Sequence, residues 1–533
     1  MRSRFNRIRK VALTEKLGSK SAVALLILAF GSLAAGCARS ASQEGPSAGA
    51  QPEERIARIE KGIAPLRLGQ QEKQLDLVQL MKLSNDPGLS VAVVDHYQIA
   101  WAKAYGTTEP GGTTPLTTRT LFQAGSISKP VAATGMLALV EAGKLSLDEN
   151  VNVKLKTWKV PENDFTKVEK VTLRRLASHT AGLTVHGFAG YSVGEKLPTL
   201  VEVFDGEKPA NNAPIRVDVV PGTVERYSGG GVTIEQQVMM DVTGRPFPAL
   251  MKELVLDRIG MSDSSYEQPL PAAWAARTPT GTYRDGKPVE GRWHVYPEMA
   301  AAGLWTTPTD LAKFAIEIAL SRQGKSNKVL SEKMTEAMLT PVLDQAGLGF
   351  FLDKERPGEF GHNGADEGFQ ALLVMNWRTG QGAAIMADSD NGVMVASELL
   401  RSVAREYGWT YPQQRGPFEE LTLTAELAGT DGVLEKYDEL RGSSDARQRP
   451  PEFVLNALGY EALGAGRTEE AIRLFARNVR EFPQSANVYD SLGEAYAKAG
   501  RKDLAIQNYE KSLALDPKNE NARERLGKLR EKN

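Results

Sequence analysis

The sequence predicts an α+β domain followed by an all-α repeat domain, and three observations carry that expectation. LSVAVVDHYQIAWAKAYG (Leu89–Gly106) reads as two strands around a turn, and a second strand pair follows Glu367. Helical apolar spacing fills much of the interval between them. Strands at both ends of a domain with helices between them imply a sheet closed by both termini. The third observation is a tail in which residues recur at a period of 34.

The chain has 533 residues, 41% hydrophobic and 25% charged, the composition of ordinary globular domains with sizeable cores. Its formal net charge of −1 offers nothing global to attract nucleic acid or an anionic surface. Nucleic-acid binding is therefore not expected.

Arg2, Arg4, Arg7, Arg9 and Lys10 form a cationic start, followed by an apolar run from Ala22 to Phe30 and the small residues Leu33-Ala34-Ala35-Gly36. This is the layout of an export signal over residues 1–36. The apolar run falls short of the roughly 20 residues a membrane span needs. Cys37, the single cysteine, follows at once, so no internal disulfide is available. Its setting resembles a bacterial lipobox, with the leucine displaced by one to Leu33, and this resemblance implies lipidation of Cys37. The expected location is the cell envelope after export. Ala38, in place of a retaining aspartate, hints at the periplasmic face of the outer membrane. Residues 37–55 are short of large apolar side chains and read as a flexible tether.

The first domain is expected over 56–410. A helical pattern runs from Ile56 to about Leu83, and the strands of Leu89–Gly106 turn at Asp95–Tyr97. From Ser126 a helix carries Met136, Leu137 and Val140 on one side and stops at Gly143. Near the end, GFQALLVMNWRTGQGAAIMADS reads as strand, turn and strand. Residues 411–449 read as a linker with one helix at about Ala425–Leu440.

Over 450–533 the period is marked by Gly459, Gly493 and Gly527, by Arg467 and Arg501, by Ala471 and Ala505, by Phe475 and Tyr509, and by Pro483 and Pro517. The pattern resembles the tetratricopeptide repeat, here two helix pairs and a final helix from Glu520. Such repeats offer a concave face to a peptide or protein partner, and two are also few enough to serve only as packing.

The chemistry centres on Ser126-Ile127-Ser128-Lys129. A serine hydroxyl is a weak nucleophile at neutral pH and needs a base within hydrogen-bond reach. Positions i and i+3 at a helix start share one face, and the helix N-terminus favours a developing oxyanion. A Lys129 desolvated enough to be neutral can take the serine proton. S-x-x-K alone is a weak signal, equally readable as Ser126 capping a helix.

The surrounding TLFQAGSISKPVAATGMLALVEAGKLSLDENV resembles the first motif of the class C β-lactamases, DD-peptidases and related esterases. LASHTAGL (Leu176–Leu183), AAGLWTTPTDLAKF (Ala301–Phe314) and FGHNGADEGF (Phe360–Phe369) resemble the family's later landmarks in the right order. The resemblance spans roughly 70–405 and implies a β-lactamase/transpeptidase-like domain, an antiparallel sheet flanked by helices. It implies an acyl-enzyme on Ser126, with Lys129 and Tyr227 sharing the proton relay. Tyr227 could act as a tyrosinate if the lysine lowered its pKa. It also makes the backbone N–H groups of Ser126 and Ala365 the oxyanion hole, with Gly364 admitting substrate beside the edge strand and His362 holding a substrate carboxylate or carbonyl.

Two positions depart from the family's pattern. Gly229 stands where an asparagine amide would orient substrate, and His362-Asn363-Gly364 stands where many β-lactamases have Lys-Thr-Gly. The expected substrate is therefore a small ester, amide or D-amino-acid peptide, with weak β-lactam hydrolysis. The rivals are a cell-wall DD-peptidase and an inactive scaffold whose repeats bind a protein. His179 reads as a structural turn residue. His96, His186 and His294 show no metal-ligand spacing, so no metal and no other cofactor is expected.

Overall fold

A computed structural model describes residues 52–68 and 71–531. The expected export signal and Cys37 lie outside these residues. The chain divides into two units, with the main boundary in sequence between residues 413 and 414.

The first unit is built on six antiparallel strands: β1 (Gly88–Asp95), β2 (Gln98–Gly106), β3 (Phe351–Leu352), β4 (Glu359–Asp366), β5 (Phe369–Asn376) and β6 (Gln381–Ala387). They lie in the order β2-β1-β6-β5-β4-β3, so strands from the two ends of the domain meet at the β1–β6 pair. The β1–β2 turn lies at His96 and Tyr97, both with positive φ, as a tight hairpin requires. Every residue from Gly88 to Val94 is buried, because helices cover both faces of the sheet. The Pro308–Ser321 helix packs on β1, β5 and β6, and the Gly392–Tyr407 helix packs on β5 and β6.

The stretch read as one helix from Ile56 to Leu83 is instead two helices, Pro52–Lys61 and Leu77–Leu83, separated by the short strands Leu66–Leu68 and Gln71–Lys73. Asp76 caps the second helix by accepting from the Gln79 N–H, while Gln79 returns a bond to the Asp76 N–H. The first helix is tied to the Gly392–Tyr407 helix by Ser402 Oγ donating to the Ile59 carbonyl at 2.7 Å and by the Arg58–Glu406 ion pair.

The Ser128–Glu141 helix is the centre of the domain. It is buried from Ser128 to Leu139, on all sides rather than on one stripe, and Gly135 stands where a Cβ would meet Met251. Between Leu121 and Leu139 only Ser126 is more than marginally exposed. A chain that buries so much to present one hydroxyl has the architecture of a site.

The second unit contains the helix pairs Glu452–Gly464 with Thr468–Glu481 and Ala486–Lys498 with Lys502–Leu515, then Glu520–Glu531. The 34-residue repeat has a direct cause: a Cβ at Gly459 would collide with the Phe475 ring, and one at Gly493 would meet the Tyr509 ring at 3.1 Å. Each glycine admits the aromatic of its own pair.

The stretch 411–449, read from sequence as a linker, needs correction. Its helical segment runs from Pro417 to Arg441 and bends at Gly429, whose φ of 62° only glycine adopts readily. Leu421, Val433, Tyr437 and Leu440 share one core with Val454, Leu455 and Phe475 of the repeats. Apolar surface that periodicity alone left unassigned is buried against the first repeat.

Candidate active site

Ser126 sits in a single 3₁₀ turn, Gly125–Ile127, just ahead of the central helix. The intervening Ser128 holds that turn in place. Its hydroxyl donates to the Gly125 carbonyl at 2.6 Å and accepts from the Leu304 N–H at 2.9 Å. The Ala124 N–H donates back to the Leu304 carbonyl at 2.8 Å. Phe122–Gln123 and Trp305–Thr306 pair as a short ribbon beside it. The AAGLWTTP segment is thus the wall against which the nucleophile turn is built.

Lys129 follows one turn on. Its Nζ donates to Ser126 Oγ at 2.8 Å and to the Ala301 carbonyl at 2.7 Å. Burial lowers its pKa to about 7, while the nearby Asp366 carboxyl works in the opposite direction. A neutral fraction is therefore available at ordinary pH. The Ala301 carbonyl takes one N–H, which leaves the lone pair of the neutral amine free for the serine hydroxyl.

Tyr227 completes the group. Its ring lies 4.9 Å from Lys129 Nζ, and Ser126 acts on its hydroxyl to favour the ionised form. It is carried on a turn stapled to the LASHTAGL segment: the Gly222 N–H donates to Thr180 O and the Arg226 N–H to His179 O. Burial, the largest influence on the Tyr227 hydroxyl, pushes its pKa up. The lysine does not offset this, so the tyrosinate base expected as an option is disfavoured. Tyr227 remains a phenol, able to donate and to pass a proton.

β4 runs beside the nucleophile turn. A Cβ on Gly364 would collide with the Ala124 carbonyl oxygen and stand 3.2 Å from the Ser126 nitrogen. A Cβ on Gly125, whose φ is +50°, would stand 2.5 Å from the Ala365 nitrogen. Both positions require glycine, and their absence of side chains brings the Ser126 and Ala365 amides to one junction, as an oxyanion hole requires.

His362 is on the same strand face, 6% exposed. Its Nδ1 lies 2.5 Å from the Asn363 carbonyl oxygen, so Nδ1 carries the hydrogen and Nε2 holds a lone pair. Burial and Lys129 lower its pKa to about 3. A neutral ring whose free nitrogen only accepts is not suited to hold a carboxylate or carbonyl, which is where the site departs from the role expected of His362. His179 accepts the Ser228 N–H at 3.2 Å through Nδ1, in keeping with a turn residue.

Three residues near the centre were not singled out by the sequence. Asp366 follows His362 and Gly364 on alternate positions of β4, and that alternation was a readable signal. Its carboxyl faces the Gly125 N–H and Lys129, and burial pushes its pKa well up while Lys129 pulls it down. Phe351, at the start of β3, and His186, on a loop, close around the Tyr227 ring at 6.2 and 4.6 Å, and no spacing in the sequence gave a sign of it. Among the described residues no three His, Cys, Asp or Glu side chains converge as a metal would require.

Ser126, Lys129 and Tyr227 thus lie together beside the Ser126 and Ala365 amides. Residues 77–406 match the β-lactamase family model, and 493–533 match a TPR repeat model. The chain belongs to the β-lactamase family and carries tetratricopeptide repeats behind that domain. It is 26% identical over 370 residues to penicillin-binding protein 4 of Amycolatopsis lactamdurans, covering 64% of this chain and 92% of that protein. It is 27% identical over 238 residues to a β-lactamase of Pseudomonas fluorescens, covering 44% and 60%. It is 28% identical over 210 residues to esterase EstB of Burkholderia gladioli, covering 38% and 51%. The chain thus spans only about half to three-fifths of the last two relatives. The octameric penicillin-binding protein homologue of Pyrococcus abyssi shares the fold, with a TM-score of 0.55 at 21% identity over 66% of this chain and 80% of that one.

Proposed function

We propose that this protein is an extracytoplasmic serine hydrolase that cleaves small esters, amides or D-amino-acid peptides through an acyl-enzyme on Ser126. The single observation that carries the reading is the 2.8 Å contact between Ser126 Oγ and a buried Lys129 whose pKa is lowered to about 7.

In this mechanism the neutral Lys129 amine takes the Ser126 proton as Oγ bonds to the substrate carbonyl carbon. The carbonyl electron pair moves onto oxygen, which the Ser126 and Ala365 N–H groups hold. Collapse of the tetrahedral adduct expels the leaving group. That group receives a proton from the Tyr227 hydroxyl, which is resupplied by the Lys129 ammonium. Water repeats the attack on the ester, with Lys129 as base, and returns Ser126 to its starting state.

β-Lactam turnover is weak in this reading, because Gly229 offers no side-chain amide and His362 no positive charge. The test is intact mass of the protein and its Ser126→Ala variant after mixing with p-nitrophenyl acetate, a D-amino-acid amide and a penicillin. A Ser126-dependent adduct or product with the ester or amide supports the reading. Silence on all three, with the fold intact, transfers the working role to the repeats and contradicts it.

The lipid anchor on Cys37 belongs to the same proposal and rests on the sequence. Cys37→Ser should move the protein from the membrane to the soluble fraction of cells, and unchanged membrane association would contradict the anchor. The repeats are proposed to bind a peptide or protein partner.

A further inference from the structure

His186 is held where the Tyr227 turn has least side chain. The Gly229 N–H donates to the His186 carbonyl at 2.8 Å and the Gly230 N–H to Val185 O at 3.1 Å. Ser228 Oγ donates to Thr184 O at 2.8 Å. A Cβ on Gly229 would stand 3.0 Å from that His186 carbonyl and 3.2 Å from the Phe188 ring. The loop thus occupies the space a side chain at 229 would need.

The loop is strained in order to do so. Val185 has φ of +64°, a conformation a β-branched residue rarely adopts, and strain of this kind persists only where surrounding bonds impose it. Three hydrogen bonds from Ser228, Gly229 and Gly230 impose it here. The result turns the His186 ring onto Tyr227, at 4.6 Å between centroids, on a half-buried rim. No described residue hydrogen-bonds its side chain. Burial, with Lys129 nearby, lowers its pKa to about 4, so the ring is neutral under working conditions. A neutral imidazole offers one N–H and one lone pair.

The geometry points to His186 as a specificity-determining residue that hydrogen-bonds an uncharged polar group of the substrate, an amide, carbonyl or hydroxyl, next to the reacting carbonyl. This rests on the serine-hydrolase reading above.

Two p-nitrophenyl esters of matched length test it in the full chain, N-acetylglycyl with an amide and pentanoyl without. Rates are divided by each ester's own alkaline hydrolysis. The protein should prefer the amide ester in kcat/KM. His186→Ala should lower that preference about tenfold, the worth of one hydrogen bond, mainly through KM for the amide ester. His186→Gln, which keeps a donor and an acceptor, should retain most of it. An unchanged ratio in His186→Ala, or an equal fall in kcat for both esters, overturns the inference and leaves the hydrolase reading standing. No Ser126-dependent turnover of either ester would overturn both.

Discussion

Lys129 Nζ is bonded to the Ala301 carbonyl at 2.7 Å on one side and to Ser126 Oγ at 2.8 Å on the other. A carbonyl accepts from the amine in either protonation state, so Ala301 orients Lys129 without fixing its charge. Burial sets the charge, and the pH dependence follows. Lys129 must be neutral to act, so kcat/KM for an ester should fall tenfold per pH unit below about 7. A profile flat down to pH 5 would mean that another group is the base.

Asp366 holds the Lys129 pKa up against burial. Burial favours the neutral carboxyl, so this support comes only from its ionised form; Asp366→Asn removes that form with little change of shape, and the acid limb should move to lower pH. An unmoved limb, with the Asn variant folded, would separate Asp366 from the lysine.

Lys129→Met should abolish turnover yet raise the unfolding midpoint by roughly 2–6 °C at pH 7, since it removes a buried amine. The sign follows from linkage. The native amine gives up its proton near 7, while the unfolded chain keeps it to about 10.5. The cost of burying it is therefore largest at or below pH 7 and fades towards pH 10. Thermal melts of the two proteins at several pH values check this, and a gain that grows with pH would contradict it.

Tyr227→Phe should lower kcat by about 10²–10³, the usual worth of a positioned proton donor, and leave the acid limb in place. Burial keeps Tyr227 a phenol across the working range. If the tyrosinate were the base, the limb would move with the substitution.

The nucleophile turn and the third motif were legible in the sequence because each rests on local residues at short spacing. Ser126 and Lys129 are one helical turn apart, and Gly364 and Ala365 are adjacent. Tyr227 required the resemblance, since nothing between 129 and 227 announces that the two meet. His186 was illegible because it arrives on a loop, where tertiary bonds such as Gly229 N–H to His186 O decide position, and Phe351 because β3 is only two residues long, too short for any periodicity to record it. The β-hairpin of β1 and β2 was readable from two strand-like runs around a turn, whereas the Pro417–Arg441 segment was not read in full. Its bend at Gly429 breaks the 3.6-residue pattern, and its apolar residues show their purpose only against the repeats.

That last point has a practical outcome. Truncation after residue 449 leaves Leu421, Val433, Tyr437 and Leu440 without their partners, and this protein should aggregate. Truncation after 413, at the boundary of the two units, should stay monodisperse and keep its Ser126 chemistry. Size-exclusion chromatography of both distinguishes them, and equal behaviour would contradict the shared core.

The most direct test of the central claim is the intact mass of the protein after brief exposure to p-nitrophenyl acetate at pH 8, quenched in acid, beside Ser126→Ala and Lys129→Ala. The account predicts one added acetyl group, located on Ser126 by peptide mapping, and none in either variant. Acetylation that persists in Ser126→Ala, or that is as fast without Lys129, would contradict it.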